Sequence, residues 1–188
     1  MTLAISPPIP ACHDQILSTG TTPLGGIAVA VRNGRLAGVC FGHRSERAAK
    51  RDLLRRLKTR PVATGPRRRG NVSAEEVLDE LQRYAEGEPI ALSSWDLLTQ
   101  GETPFTRAVI DACRAIPRGQ TQTYGEVAAA AGHPGAAPAV GRVISSNPTP
   151  LVVPCHRVLA AGGKLGGYSA RQGLAMKRRL LQMEAASP

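Results

Sequence analysis

Cys155 and His156 stand side by side at the end of a short apolar run closed in by prolines, Asn147-Pro-Thr-Pro-Leu-Val-Val-Pro-Cys-His-Arg-Val158. A free thiol is mostly protonated at neutral pH and only its thiolate attacks, so a reactive cysteine needs a neighbouring base or positive charge. His156 offers the first and Arg157 the second. The prolines restrict φ, and Leu151 to Val153 anchor the segment in a core, so the sulfur is predicted to be held in one place at the surface of a pocket. An arbitrary Cys-His pair is more often a buried structural cysteine with a chance neighbour, and the pair alone does not decide between the two.

The rest of the composition narrows what such a thiol would act on. The chain has 188 residues, 24 Lys and Arg against 14 Asp and Glu, and a formal net charge of +10. Residues 101–188 alone hold 10 basic and 4 acidic side chains, a balance of +6. A basic excess attracts polyanions, because each phosphate neutralised releases condensed counterions. A basic surface that only aids solubility is the plainer alternative. Nothing approaches the roughly 20 consecutive apolar residues of a membrane span, and the start lacks the marks of a signal peptide, so a soluble cytoplasmic protein is expected. Cys12, Cys40, Cys113 and Cys155 are widely spaced without a CxxC pair, which predicts reduced thiols rather than a disulfide framework. Cys12, His13, Cys40 and His43 lack clear metal-ligand spacing, so no zinc is expected.

The elements that must position the thiol follow from periodicity. Residues 26–31 and 35–40 are β-branched and small, and Asn33-Gly34 between them suits a tight hairpin. Ser45 to Lys58 reads as an amphipathic helix. The segment 61–71, with three adjacent arginines, reads as a loop. Ser73 and Glu76 form a capping-box pattern before a second helix that runs to about Ala85 and stops at Gly87. Trp95 sits in a linker, and a domain boundary is placed near residue 100. Beyond it, Phe105 to Ile116 is a helix with Cys113 on its core face. Thr123 to Gly132 and about Ala137 to Ser146 are two short helices around a glycine-containing turn, the outline of a helix-turn-helix.

The run Pro154-Cys-His-Arg-Val158, preceded by Asn147-Pro148 and followed by Gly162-Gly-Lys-Leu-Gly-Gly-Tyr168, resembles the active-site signature of the O6-alkylguanine-DNA alkyltransferases, also called methylated-DNA–protein-cysteine methyltransferases. Ile116-Pro117, Gly119, Thr123-Tyr-Gly-Glu126, Ala139-Val-Gly141, Lys177, Leu180-Leu181 and Glu184 occur in the same order, so most of residues 103–184 is covered. The first hundred residues are similar only loosely, chiefly through Thr22-Pro-Leu-Gly25.

The resemblance implies an α+β fold: a small mixed α/β, ribonuclease H-like domain over 1–98, then a mainly helical domain with a winged helix-turn-helix over 103–188. It implies repair of double-stranded DNA by a monomer that takes the alkyl group of O6-alkylguanine onto Cys155 once, without a cofactor. His156 would remove the thiol proton through a bridging water, Glu184 would orient His156, Asn147 would stabilise the turn, and Tyr124 would stand by the target nucleotide. Tyr124, Ala137, Pro138, Gly141, Arg142 and Ser145 would meet DNA. Val158, Gly166, Tyr168, Ser169 and the Gly162-Gly163 turn would line the pocket for the extruded base, whose O6 is out of reach inside a duplex. Pro138 stands where the family usually has an arginine that fills the gap left by the flipped nucleotide. A lesion binder without transfer and a thiol hydrolase are the alternatives; the first lacks an acceptor cysteine in the proteins that exemplify it, and adjacency in sequence is not how the second usually assembles its pair.

Overall fold

The computed structural model describes residues 15–58, 72–98 and 103–186. The loop expected at 61–71, the boundary near residue 100, Cys12 and His13 lie outside them. The chain opens with a three-stranded antiparallel meander, β1 (Gln15–Thr22), β2 (Gly25–Arg32) and β3 (Arg35–His43), in the order β1-β2-β3. Asn33 and Gly34, with φ of 52° and 68°, turn β2 into β3 as the dipeptide predicts. β1 was not expected. It is an edge strand of sequence Gln-Ile-Leu-Ser-Thr-Gly-Thr-Thr with one exposed isoleucine, Ile16, so its pattern is too polar to announce itself.

Helices cover both faces of the sheet. On one, α1 (Glu46–Lys58) sets Ala49, Leu53 and Leu57 against Ala28, Ala30, Ala37 and Cys40. The small strand residues let the helix come close; a Cβ on Gly38 would lie 2.9 Å from the Leu53 side chain. On the other, α2 (Ala74–Ala85) starts at Ser73, whose hydroxyl accepts from the Glu76 amide, and buries Val77, Leu81 and Tyr84 against Ile27, Val29, Leu36 and Phe41. Leu151, Val152, Met176 and Leu180 from the second half of the chain enter this same core.

The second half begins with α3 (Pro104–Arg114), capped by Thr103 and carrying Val109 and Cys113 on its buried face. A two-residue strand β4 (Gln122–Thr123) leads into α4 (Tyr124–Ala130), where Thr123 and Glu126 form a reciprocal capping box. Gly132, at φ 79°, turns the chain toward α5 (Ala137–Ser145). Val127, Ala128, Val140 and Ile144 close a second core with Val109, Cys113, Val153, Cys155 and Val158. β5 (Val158–Leu159) pairs in parallel with β4, which ties the start of α4 to the segment carrying Cys155. α6 (Gly173–Ala186) finishes the described chain. No described helix is long and apolar enough to cross a membrane.

Candidate active site

Cys155 opens a single 3-10 turn, Cys155–Arg157, just after a tight loop. Asn147 holds that loop from within: its Oδ1 accepts from the Thr149 amide at 3.0 Å and its Nδ2 donates to the Val153 carbonyl at 3.1 Å. Leu151 at the loop's tip has φ of 77°, a conformation costing an ordinary side chain about 1–3 kcal/mol, yet it is buried in the first core. Burial there and the two Asn147 bonds over-determine the loop, and the outcome is a fixed sulfur. The Asn147 amide also lies 3.5 Å from Cys155 Sγ.

Behind the turn, His156 and Glu184 are fully buried, with His156 Nε2 3.0 Å from Glu184 Oε1. A carboxylate only accepts, so Nε2 carries the imidazole proton and Nδ1 keeps the lone pair. Nδ1 is buried and has no hydrogen-bond partner among the described residues. Glu184 itself is saturated. Tyr84 donates to Oε1 at 2.5 Å, Arg157 donates to Oε1 through Nη2 at 2.7 Å and to Oε2 through Nε at 3.0 Å, and the Gly119 amide reaches Oε2 at 3.4 Å. Arg157 also donates to the Ile116 carbonyl at 2.6 Å. Arg157 neighbours the thiol in sequence as a source of charge, but its guanidinium serves Glu184 instead. Tyr84, a hundred residues from Glu184, was missed as a site residue. Its one signal was an aromatic on the buried stripe of α2.

These surroundings set the protonation states. Burial would raise Glu184, but hydrogen bonds from His156, Arg157 and Tyr84 outweigh it and hold the carboxyl well below the usual carboxylate range. Burial pushes His156 below its ordinary value despite Glu184, so the imidazole is neutral at pH 7. Burial likewise pushes the Cys155 thiol up, opposed by the Asn147 amide and the Lys177 cation. Lys177, one of the family positions, turns out to be wholly buried, donating to the Val158 carbonyl at 2.5 Å, and burial brings it down to about 8.

A cavity of about 310 Å³ opens over the sulfur, lined by Tyr124, Gly141, Ile144, Ser145, Cys155, Gly167, Tyr168 and Ser169. Of the residues expected around the base, Tyr168 and Ser169 are here. Tyr124, Gly141 and Ser145, expected on DNA, border the same space. The Tyr168 hydroxyl is buried close to the Cys155 thiol and has no well-formed hydrogen bond among the described residues. Val158 lies in the core, Gly166 packs beneath the Tyr124 ring, where a Cβ would come within 3.3 Å, and the exposed Gly162-Gly163 turn does not line the cavity. Ala137, Pro138 and Arg142 lie outside it, with Pro138 and Arg142 exposed one turn apart on α5.

One other cluster has ligand-type side chains. Cys40, His43 and Asp52 bring their polar atoms within 4.8 Å of one another. Cys40 and His43, three apart on β3, would normally face opposite sides; Gly42 at φ 77° bulges the strand and turns both toward α1. Asp52 is already held by Arg55 at 2.6 Å and Arg56 at 2.9 Å, so the cluster is built as a tie between α1 and the sheet with cations at its rim, a poor setting for a metal ion.

Residues 104–186 match the 6-O-methylguanine DNA methyltransferase DNA-binding domain. A methylated-DNA–protein-cysteine methyltransferase of Methanosarcina acetivorans is 43% identical over 112 residues, 59% of this chain and 69% of that protein. The chain belongs to the methylated-DNA–protein-cysteine methyltransferase family. A second member, from Methanothermobacter thermautotrophicus, is 40% identical over 116 residues, and the alignment spans 62% of this chain and 64% of that relative. The similarity extends through the first half in three dimensions. Mycobacterium tuberculosis OGT in complex with DNA aligns with a TM-score of 0.66 at 30% identity over 91% of this chain and 93% of that one. The Pyrococcus kodakaraensis O6-methylguanine-DNA methyltransferase gives 0.65 at 30% identity over 90% and 99%. The mixed α/β fold is thus that of the family across both halves.

Proposed function

We propose that this protein repairs double-stranded DNA by moving an alkyl group, methyl in the simplest case, from O6 of guanine to Cys155 in one irreversible step. The observation that carries the reading is a fixed, buried thiol facing a base-sized cavity beside a neutral imidazole whose Nδ1 has no partner among the described residues. His156 Nδ1 takes the thiol proton through a bridging water, and Glu184 holds the opposite nitrogen, which is triad logic applied to sulfur. The thiolate attacks the alkyl carbon, an S–C bond forms as the C–O6 bond breaks, and the electron pair leaves on guanine, which takes a proton from Tyr124 while the proton held by His156 returns to the phenolate through solvent. Tyr168 and Ser169 supply hydroxyls to the base. The damaged base brings the group itself, so no cofactor is needed, and the thioether leaves no route back. A binder that merely flags the lesion has no use for this thiol arrangement.

The finer fold description belongs to the same proposal: a ribonuclease H-like domain over 1–98 and a winged helix-turn-helix domain over 103–188, with α5 in the minor groove. The sheet flanked by α1 and α2 and the hairpin of α4 and α5 support it. The protein is read as a cytoplasmic monomer. Incubation with an oligonucleotide containing O6-methylguanine should yield one methyl group, on the peptide containing Cys155, by mass spectrometry. Repair-free binding, or a methyl on another cysteine, overturns the assignment.

The buried His156 sets the pH profile. Its folded value lies below the ordinary 6.5, so the competent neutral form dominates at pH 7 and is lost only as pH falls through that lower value. Single-turnover transfer should be level between about pH 7 and 8 and decline only in acid, below the range of an ordinary histidine. A rate still climbing tenfold per unit through pH 8 would mean that direct ionisation of the thiol governs instead.

Pro138 leaves the face of α5 without its usual arginine, and Arg142, exposed one turn later, is the cation that remains there. Unstacking costs a few kcal/mol per flipped base and much less when the base is unpaired. Arg142→Ala should therefore slow transfer from duplex DNA by about tenfold, near 1.4 kcal/mol, with little change on single strands, and Pro138→Arg should speed the duplex reaction selectively. Equal duplex-to-single-strand rate ratios in both variants and the parent would rule out intercalation from this helix as limiting.

A further inference from the structure

α1 holds six basic residues, Arg47, Lys50, Arg51, Arg55, Arg56 and Lys58, against two acidic ones, Glu46 and Asp52, in thirteen positions. At 100° per residue Arg47, Arg51 and Lys58 fall within about 40° of one another, on the face opposite the buried Ala49 and Leu53. All three are exposed, as is Lys50.

Arg55 and Arg56 serve the helix by pairing with Asp52, and Lys58 suits its last turn, but Arg47, Lys50 and Arg51 stand in its first half, where cations do not help it. Arg47, Arg51 and Arg55 follow one another at i, i+4, a like-charge spacing that destabilises an isolated helix. Both acids are turned away from the stripe. Glu46 accepts from Thr19 and Thr21 at 3.1 and 2.9 Å, and Asp52 is engaged by His43, Arg55 and Arg56. Arg47, Lys50, Arg51 and Lys58 have no ion-pair partner among the described residues.

The last turn of α1, on its inward side rather than on the stripe, also borders the site. A cavity of about 260 Å³ separates the last turn of α1 from the end of α5, with Arg56 and Leu57 on one wall and Ser145, Ser146 and Asn147 on the other. Ser145 borders the space over Cys155 as well, and Asn147 touches the sulfur. The Val39 amide donates to the Pro148 carbonyl at 2.8 Å, which fixes the sheet under α1 against the active-site loop. A helix of this length spans about 20 Å, more than half of one turn of B-DNA.

We propose that the exposed face of α1 is a second contact for the DNA backbone, separate from α5, and that it holds the phosphates of the duplex flanking the lesion without reading bases. The inference rests on the DNA-repair reading above. It gives the first half of the chain a share of DNA affinity.

The test compares binding to an undamaged duplex at several salt concentrations. Arg47→Gln/Arg51→Gln/Lys58→Gln should reduce the slope of log K against log salt by about 2–3, since each phosphate contact contributes about 0.9. Arg83→Gln/Arg178→Gln, on α2 and α6 at the other face of the sheet, should move it by less than about 0.5. An unchanged slope in the triple variant, or the same loss per charge in the double variant, overturns the proposal. Methyl transfer to Cys155 by the unmodified chain is measured alongside. Transfer with no change of slope refutes the α1 contact alone, whereas a reduced slope without transfer supports the contact and refutes the repair chemistry.

Discussion

Glu184→Ala should destabilise the protein by about 3–5 kcal/mol, the range found when one partner of a buried ion pair is removed. The substitution takes the acceptor from four residues at once: Nε and Nη2 of Arg157, which keeps only the Ile116 carbonyl among the described residues, the Tyr84 hydroxyl, the His156 Nε2–H and, more weakly, the Gly119 amide. Urea unfolding at pH 7 measures the loss, and a difference under about 1 kcal/mol would mean that water replaces the carboxylate and the network is not what holds these elements together. The sign of its pH dependence is fixed by the depressed carboxyl. Glu184 binds its proton less readily folded than unfolded, so its contribution is present above its unfolded value near 4.5 and is lost as pH falls below that. The gap between parent and variant should therefore shrink in acid. Where the variant still folds, transfer should drop by about 10²–10⁴, because His156 loses the partner that fixes its proton on the nitrogen away from the thiol. Tyr84→Phe, which leaves Arg157 and His156 in place, should cost less, about 1–3 kcal/mol.

Cys155→Ala should abolish alkyl acceptance completely while leaving affinity for undamaged duplex within a few-fold of the parent. The thiol lies at the floor of the cavity, whereas the exposed cations of α5 and α1 are what a DNA backbone would meet. Background transfer to other sites is not expected from Cys40 or Cys113: both are buried, and burial pushes each thiol up to about 12, which leaves almost no thiolate at pH 7. Radiolabelled methyl on either of them in purified Cys155→Ala would sink the assignment of the acceptor. A loss of DNA affinity greater than about tenfold, or roughly 1.4 kcal/mol, would instead show that the active-site turn carries binding energy of its own.

Much of the architecture could be read from local signals because local physics decides it. Asn33-Gly34 allows positive φ at both turn positions, Ser73 and Thr123 offer hydroxyls to orphan amides, Gly132 ends α4, and the spacing of apolar residues sets the faces of α1, α2 and α3. β1 escaped because neither of its faces is apolar enough to show an alternation: Gln15, Leu17, Thr19 and Thr21 lie toward α1, and Ile16, Ser18, Gly20 and Thr22 toward α2. The cavity lining was legible only in part. Tyr168 and Ser169 border it, but Val158 is drawn into the core and Gly166 serves the Tyr124 ring rather than the base, because side-chain direction after a 3-10 turn does not follow from sequence spacing.

The residues alone display a proline-framed Cys-His pair and a basic second half, and the family resemblance adds a distant glutamate. Which groups complete the site follows from the packing. Tyr84 comes from α2 across a hundred residues to Glu184, Arg157 turns from the thiol to the carboxylate, Lys177 is buried under Val158, and Leu151 and Val152 anchor the active-site loop in the core of the first half. No local pattern announces such partners. A buried charge accepts whichever donors the packing of two cores brings within reach, and that is settled by how the helices close on the sheet rather than by any stretch of chain.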